Sequence, residues 1–264
     1  MSLLFDPHFT ILREDASNKL FNIVLITSQV AGALAVLFVS IWMGGYEDGF
    51  AWTDYPDREF HYHPTFMVMG MVFLYGESLI VYRVFRNERK KFSKTLHVAL
   101  HSMVLVFMLI ALKAVFDFHN LHKDPQGNPK PIPNMMSLHS WIGMIVVVVY
   151  CLQYFVGFVT FFAPGLSIPM RQIIMPFHQL FGLVLFLVVS IVVGSGISER
   201  AAWKHICWTQ EGQMCTQHFL SNLVGICVFV QSVCILILVG NPRWKRRTLP
   251  EEESLHQLSA TPME

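Results

Sequence analysis

Six stretches of this chain are long and apolar enough to cross a lipid bilayer as helices. A helix needs about 20 residues to cross roughly 30 Å of hydrocarbon. Because lipid cannot satisfy free backbone groups, a continuous apolar run of this length predicts a helix. The predicted spans are residues 20–43, 60–82, 95–116, 135–163, 172–198 and 219–240. The sequence therefore predicts an all-α integral membrane protein with six transmembrane helices.

The composition supports this prediction, because only 14% of the residues are charged, against about 25% in a typical soluble domain. The first span follows a polar segment, lacks a small-residue cleavage site and is too long for a signal-peptide core, so we expect it to stay in the membrane. Residues 1–19 are predicted to form an N-terminal segment and residues 20–247 the six-helix domain. Residues 248–264 are polar and acidic and are predicted to be a disordered tail.

Lysine and arginine are distributed unevenly between the two sides of the membrane. Six crossings put both termini, the 83–94 loop and the 164–171 loop on one side. That side carries 13 of the 19 Lys and Arg residues, the other side carries five, and Lys113 lies within a span. The positive-inside rule therefore predicts that both termini are cytoplasmic. Lys113 is near the outer end of its span, and we expect its side chain to extend towards the outer surface.

The five cysteines are too few for a disulfide framework. Three of them lie in apolar runs and are expected to be small packing residues. Cys207 and Cys215 share one polar outer loop and could form a disulfide if that loop faces an oxidising compartment. The sequence leaves this pairing open.

Four histidines occupy matched positions in two predicted helical hairpins. His63 and His139 lie near the outer ends of the second and fourth spans. His97 and His178 lie near the cytoplasmic ends of the third and fifth spans. Ionisable residues within spans are costly, and a single one is usually a hydrogen-bonded polar residue, but four at two matched depths indicate a shared function. Spans two to five are therefore predicted to form a central four-helix bundle with one histidine pair near each face.

A pair of neutral imidazoles on facing helices supplies the two axial nitrogens that an iron porphyrin needs. Two pairs predict two haems, and the absence of a C-x-x-C-H motif makes them non-covalent, b-type haems. Two axial ligands leave no open position for oxygen, which favours electron transfer. His101 lies one helical turn from His97 on the same face, and spacing alone does not decide which of the two is the ligand.

Seven motifs in order along the chain resemble those of the cytochrome b561 family, and their sequences are most similar to its chromaffin-granule type. The resemblance covers about residues 20–247. The motifs are FHYHP at 60–64, GESLIVYRVFR at 76–86, KTLH at 94–97, AVFDFHN at 114–120, SLHSW at 137–141, PFH at 176–178 and PRWKR at 242–246.

The resemblance implies an ascorbate-dependent transmembrane reductase in a secretory or endolysosomal vesicle membrane or the plasma membrane, and it suggests a homodimer. Cytoplasmic ascorbate would reduce the inner haem, and the outer haem would reduce monodehydroascorbate or a ferric complex. The resemblance also implies that His97 is the ligand and that His101 is not. Nothing in the sequence suggests a nucleic-acid partner.

The resemblance further implies two substrate sites. Arg83, Lys94 and Arg171 match the family's ascorbate site, and cationic residues suit an anionic substrate. Positive-inside charge accounts for part of this cluster as well. His119 and Asn120 lie where the family places its second substrate, although an outer histidine could equally be a residue that anchors the loop.

Two residues and one loop have functions that the sequence does not decide. Glu77 could orient a haem-binding imidazole or complete a polar network. Met136 stands where the family usually has tyrosine, and the 121–134 loop is longer than usual, so the outer acceptor is uncertain from sequence.

Competing functions are a His-rich metal or proton transporter and a membrane scaffold or receptor. A flavin-fed reductase is disfavoured, because no dinucleotide-binding fingerprint occurs.

Overall fold

The six apolar stretches form six helices in the computed structural model, which describes residues 14–163 and 166–249. The helices are α1 (Glu14–Tyr46), α2 (Pro56–Val84), α3 (Lys90–Asn120), α4 (Leu138–Phe162), α5 (Ile168–Lys204) and α6 (Thr216–Gly240). Within the described residues there is no strand beyond one isolated bridge between Lys123 and Pro129. The prediction of an all-α protein with six transmembrane helices is confirmed.

Most helices extend past the predicted spans by one or two turns, because their polar ends need not lie in hydrocarbon. The first helix begins at Glu14, so residues 14–19 of the predicted N-terminal segment are helical. Residues 1–13 and 250–264 lie outside the described residues, and the predictions made for them stay predictions.

The fourth helix begins at Leu138 rather than at residue 135, which corrects the predicted boundary. Met135 has a positive φ of 62°, which a helix does not allow. Ser137 then caps the helix: its hydroxyl accepts from the Ser140 amide at 3.2 Å, and its own amide donates to the Ser140 hydroxyl at 3.1 Å. This reciprocal arrangement is a capping box, which satisfies two amides that have no partner inside the helix.

Helices α2 to α5 form a bundle that α1 and α6 cover on one side. The pairs α2–α3 and α4–α5 are antiparallel hairpins, and α5 also packs against α2. The sixth helix packs along α1 and contacts both α2 and α5. The bundle interior is filled by fully buried aromatic residues, including Tyr75, Tyr150 and Phe186. Large apolar side chains such as those of Phe155 and Ile191 are exposed and face the lipid.

The segment after α6 is attached to the N-terminal end of α1. Trp244 is buried, and its indole Nε1 donates to the Ser17 hydroxyl at 3.1 Å. Its ring packs edge-on against Phe21 with centroids 5.3 Å apart. The PRWKR motif therefore closes this end of the helix pair.

Covalent and ionic links hold the outer ends of the helices. Cys207 and Cys215 are disulfide-bonded, which answers the question that the sequence left open. Lys113 reaches the outer end of α3 as expected, where its ammonium lies 2.7 Å from the buried carboxylate of Glu59 and 2.6 Å from that of Asp117.

Candidate functional site

The structure brings the four histidines together in the two expected pairs. His63 on α2 faces His139 on α4, with ring centroids 6.1 Å apart and ring planes at 90°. His97 on α3 faces His178 on α5, with ring centroids 6.3 Å apart and ring planes at 72°. The first pair lies near the end of the bundle that the sequence predicts to be outer, and the second lies near the end predicted to be cytoplasmic. These pairs are called the outer pair and the inner pair below.

The spacing within each pair fits two imidazoles on opposite sides of one metal ion. A histidine nitrogen binds a first-row metal at about 2.0–2.1 Å, so two such rings have centroids roughly 6 Å apart. Within the described residues, no three His, Cys, Asp or Glu side chains form a group that could hold a metal ion alone. Each pair therefore offers two axial ligands and suits a metal whose other ligands come from a macrocycle.

Backbone carbonyls fix the protonation of three of the four rings. Nδ1 of His63 lies 3.2 Å from the carbonyl oxygen of Ala111. Nδ1 of His97 lies 2.9 Å from that of Ser78, and Nδ1 of His139 lies 2.9 Å from that of Val192. Because a carbonyl oxygen only accepts hydrogen bonds, Nδ1 carries the proton and donates it. The Nε2 atom of each neutral ring then keeps its lone pair for a metal, as in other proteins where histidine binds a metal.

The fourth ring has a side-chain partner instead. Nδ1 of His178 lies 3.1 Å from the side-chain amide nitrogen of Gln153, which also donates to the His178 carbonyl oxygen at 2.8 Å. Gln153 is on α4, so this contact joins the two helices of the second hairpin. Gln153 was not predicted as a site residue, although its polar side chain in an apolar span was a signal.

Two glycines leave the space that the histidine rings of the second hairpin occupy. A Cβ at Gly196 on α5 would lie 2.6 Å from Cε1 of His139, and a Cβ at Gly157 on α4 would lie 2.8 Å from Cε1 of His178. Each helix of the hairpin thus carries one histidine and one glycine that accommodates the histidine of the other helix. The role of Gly196 was missed.

His97 and His101, the two candidate ligands of the inner pair, have different neighbours. The ring of His97 lies opposite His178. His101 has partners at both ring nitrogens: Nε2 is 2.8 Å from the Ser78 hydroxyl, and Nδ1 is 2.9 Å from the Tyr150 hydroxyl. These contacts favour His97 as the ligand and give His101 a role in the hydrogen bonding of the bundle.

The cations at the predicted cytoplasmic end fall into two groups. Lys94 donates to the carbonyl oxygen of Phe161 at 3.2 Å, and the Phe161 ring packs against His178 with centroids 5.2 Å apart. Arg171 is close enough for its charge to repel that of Lys94, and its Nε donates to Leu166 O at 2.9 Å. Lys94 and Arg171 therefore form a half-exposed cationic site beside the inner pair.

Arg83 contacts the end of α6. Its side chain is buried, and its guanidinium donates to the carbonyl oxygens of Val239 and Asn241, the latter at 3.2 Å. The last carbonyls of a helix have no partner within it, so a buried arginine satisfies them well. These hydrogen bonds give Arg83 a role at the end of α6, and its place in an ascorbate site stays a prediction.

Aromatic rings connect the outer pair to the outer loop. Phe60 lies 5.9 Å from the His63 ring and 4.9 Å from Phe118, which lies 5.5 Å from His119, all between centroids. The neighbouring Asn120 is exposed, and its side-chain oxygen accepts from Asn134 at 3.0 Å. His119 and Asn120 thus lie together at the mouth of the bundle, on the side of the outer pair.

Glu77 belongs to a polar contact on the other side of α2. Its carboxylate accepts from Gln29 on α1 at 2.7 Å. The contact joins α1 to the bundle, which agrees with the polar-network alternative for Glu77.

Comparison with known proteins gives consistent matches. A family model described as eukaryotic cytochrome b561 matches residues 62–204. A putative transmembrane ascorbate-dependent reductase CYB561 homolog of Caenorhabditis elegans is 69% identical over 261 residues, covering 99% of this chain and 98% of the relative. The transmembrane ascorbate-dependent reductase CYB561 of Homo sapiens is 36% identical over 232 residues, covering 86% of each chain. The plasma membrane ascorbate-dependent reductase CYBRD1 of Xenopus tropicalis is 34% identical over 245 residues, covering 92% of this chain and 82% of the relative.

Proposed function

The chain belongs to the eukaryotic cytochrome b561 family, and on that premise we propose that it transfers electrons from cytoplasmic ascorbate through two b-type haems to an acceptor across the membrane. The observation that carries this proposal is the presence of two histidine pairs at metal-binding spacing, one near each face. A single pair would serve one leaflet only. Two pairs divide an insulating layer of roughly 30 Å into shorter steps.

His63 and His139 would hold the outer haem, and His97 and His178 the inner one. When bound, haem supplies the one-electron chemistry that no amino-acid side chain here provides. The protein contributes ring orientation through the carbonyls of Ala111, Ser78 and Val192. The apolar bundle around the pairs excludes water, which together with the axial ligands sets the haem potentials.

Lys94 and Arg171 would form the ascorbate site. Both are cations beside the inner pair, and within the described residues neither forms an ion pair with a carboxylate. Two cations close together repel each other, and an anion between them removes that repulsion. Ascorbate is such an anion at neutral pH. Arg83 would support this site indirectly, by holding the end of α6.

His119 and Asn120 would bind the outer acceptor, which is monodehydroascorbate or a ferric complex. The disulfide between Cys207 and Cys215 supports an outer side that faces an oxidising compartment. Such a compartment is a vesicle lumen or the cell exterior, and both termini would then be cytoplasmic. A homodimer stays a prediction from the family.

The proposal is tested with purified protein reconstituted in vesicles. Dithionite should produce reduced b-type absorption bands equivalent to two haems per chain. External ascorbate should then reduce a ferric chelate trapped inside, and vesicles without protein should not. Purified protein that stays colourless after haem-replete expression would overturn the proposal and favour a metal or proton transporter.

Replacing Gly196 with alanine should reduce haem at the outer pair. The new Cβ would lie 2.6 Å from Cε1 of His139, so the ring must move away from its position opposite His63. We expect the dithionite-reduced absorbance per chain to fall towards half. Gly194→Ala is the matched control, because a Cβ there meets no atom within 4 Å. Equal losses in both variants would contradict this role for Gly196.

A further inference from the structure

A buried ion pair lies beside the outer pair of histidines. Arg200 on α5 contacts Glu47, which follows α1, with Nη2 and Oε2 2.7 Å apart and each side chain only 9% exposed. Burying two charges costs several kcal/mol per ion, and replacing such a pair by apolar residues is often neutral or stabilising. Stability alone is therefore a weak explanation for this pair.

One aromatic ring, that of Phe60, contacts both the guanidinium of Arg200 and the outer pair. Its Cζ lies 4.7 Å from the centroid of Phe60, and that centroid lies 5.9 Å from the His63 ring. The distance from Cζ of Arg200 to the centroid of the His63 ring is therefore at most the sum of these two distances. Gly196, which contacts His139, lies one helical turn before Arg200 on α5, about 6 Å along the axis. Arg200 therefore lies on the same end of the bundle as the outer pair, separated from His63 by the Phe60 contact and from the Gly196–His139 contact by one helical turn.

Glu47 is the ion-pair partner of Arg200, and the carboxylate of Asp57 also acts on its charge. The Glu47 carboxylate contacts Nη2, while Nε of Arg200 is buried without a hydrogen-bond partner among the described residues. The guanidinium also lies over the Phe60 ring, with Cζ 4.7 Å from its centroid. A charge held in this way is poorly screened by solvent, so it acts on its surroundings more strongly than a surface charge.

The inner pair lacks an equivalent arrangement within the described part of the chain. The guanidinium of Arg83 donates to carbonyls at the end of α6. Lys94 and Arg171 lie at the cytoplasmic surface, where solvent and salt weaken their fields. The two haem positions therefore differ in the fixed charge that they experience.

We propose that Arg200, held by Glu47, is a positioning residue that makes the outer haem the better electron acceptor of the two. The inference rests on the proposed function, because it presupposes haem at both pairs. Adding an electron lowers the net charge of a haem site, and a buried cation nearby stabilises that change. Arg200 would thus favour movement of electrons from the cytoplasmic to the outer side, and Glu47 would limit the size of the effect.

The test is a redox titration of the purified holoprotein, with the two haems distinguished by their electron paramagnetic resonance signals. Arg200→Gln should lower the midpoint potential of the outer haem, and Glu47→Gln should raise it, while the inner potential stays unchanged. A purely structural ion pair would give shifts of the same sign in both variants. The matched control is Lys130→Gln, which removes a solvent-exposed cation of the outer loop and should shift neither potential.

In each single variant one buried charge loses its partner, which could prevent folding. Two further variants keep the test decisive in that case. Arg200→Lys keeps the charge and should hold the outer potential close to that of the wild type. The double variant Arg200→Gln/Glu47→Gln removes both charges and should fold with haem at both pairs. Shifts of equal sign in the single variants, or a shift in Arg200→Lys as large as in Arg200→Gln, would overturn this inference. Absence of haem from the wild-type protein would instead overturn the proposed function.

Discussion

Substituting alanine for His139 should remove about half of the haem from the purified protein, and doing so for His63 should have the same effect. Each ring supplies one of two axial nitrogens at the outer pair, and the rings face each other with centroids 6.1 Å apart. With one nitrogen gone, the haem loses half of its protein ligands and the bundle retains a cavity. The inner pair should keep its haem, because its histidines come from α3 and α5 near the opposite face. The measurement is haem per chain from the dithionite-reduced spectrum.

The same experiment at the inner pair distinguishes His97 from His101. His97→Ala should lose the inner haem, whereas His101→Gln should keep it, because both ring nitrogens of His101 have hydrogen-bond partners within the bundle. His122→Ala in the outer loop is a control for the loss of a histidine as such. The ligand assignment would be wrong if His101→Gln lost the haem and His97→Ala kept it.

Removing the charge of Lys94 or of Arg171 should weaken ascorbate binding by about tenfold each, because a hydrogen bond to a charged group contributes about 1.5–3 kcal/mol. The readout is the rate of haem reduction against ascorbate concentration in a stopped-flow experiment. We expect a higher KM and a smaller response of the rate to added salt, because the wild-type site attracts its substrate over a distance that salt shortens. Haem content should not change.

Arg83→Gln separates the two groups of cytoplasmic cations. Its guanidinium satisfies carbonyls at the end of α6, so the variant should lower the temperature of unfolding and change the KM for ascorbate less than Lys94→Ala does. An Arg83→Gln protein of normal stability with the largest rise in KM would contradict this assignment. It would return Arg83 to the anion site that the sequence predicted.

Much of this protein was predictable from the sequence, because the membrane imposes simple rules on it. A segment in hydrocarbon must be apolar and must be helical, so six apolar runs were enough to predict six helices. The depth of a histidine follows from its position along its span. Matched depths in two hairpins were therefore enough to pair His63 with His139 and His97 with His178, as the structure has them.

Only the tertiary structure decided which atoms each side chain meets. His97 and His101 share a helix face, and only the structure shows that the hydroxyls of Ser78 and Tyr150 lie at the two ring nitrogens of His101. Arg83 is 158 residues from Asn241 along the chain, and no local pattern joins them. Glu47 and Arg200 are 153 residues apart, and Gly196 is noticed only when His139 lies against it. Hydropathy records how deep a residue lies, but the partner of a side chain depends on how neighbouring helices rotate and pack, which a one-dimensional pattern does not contain.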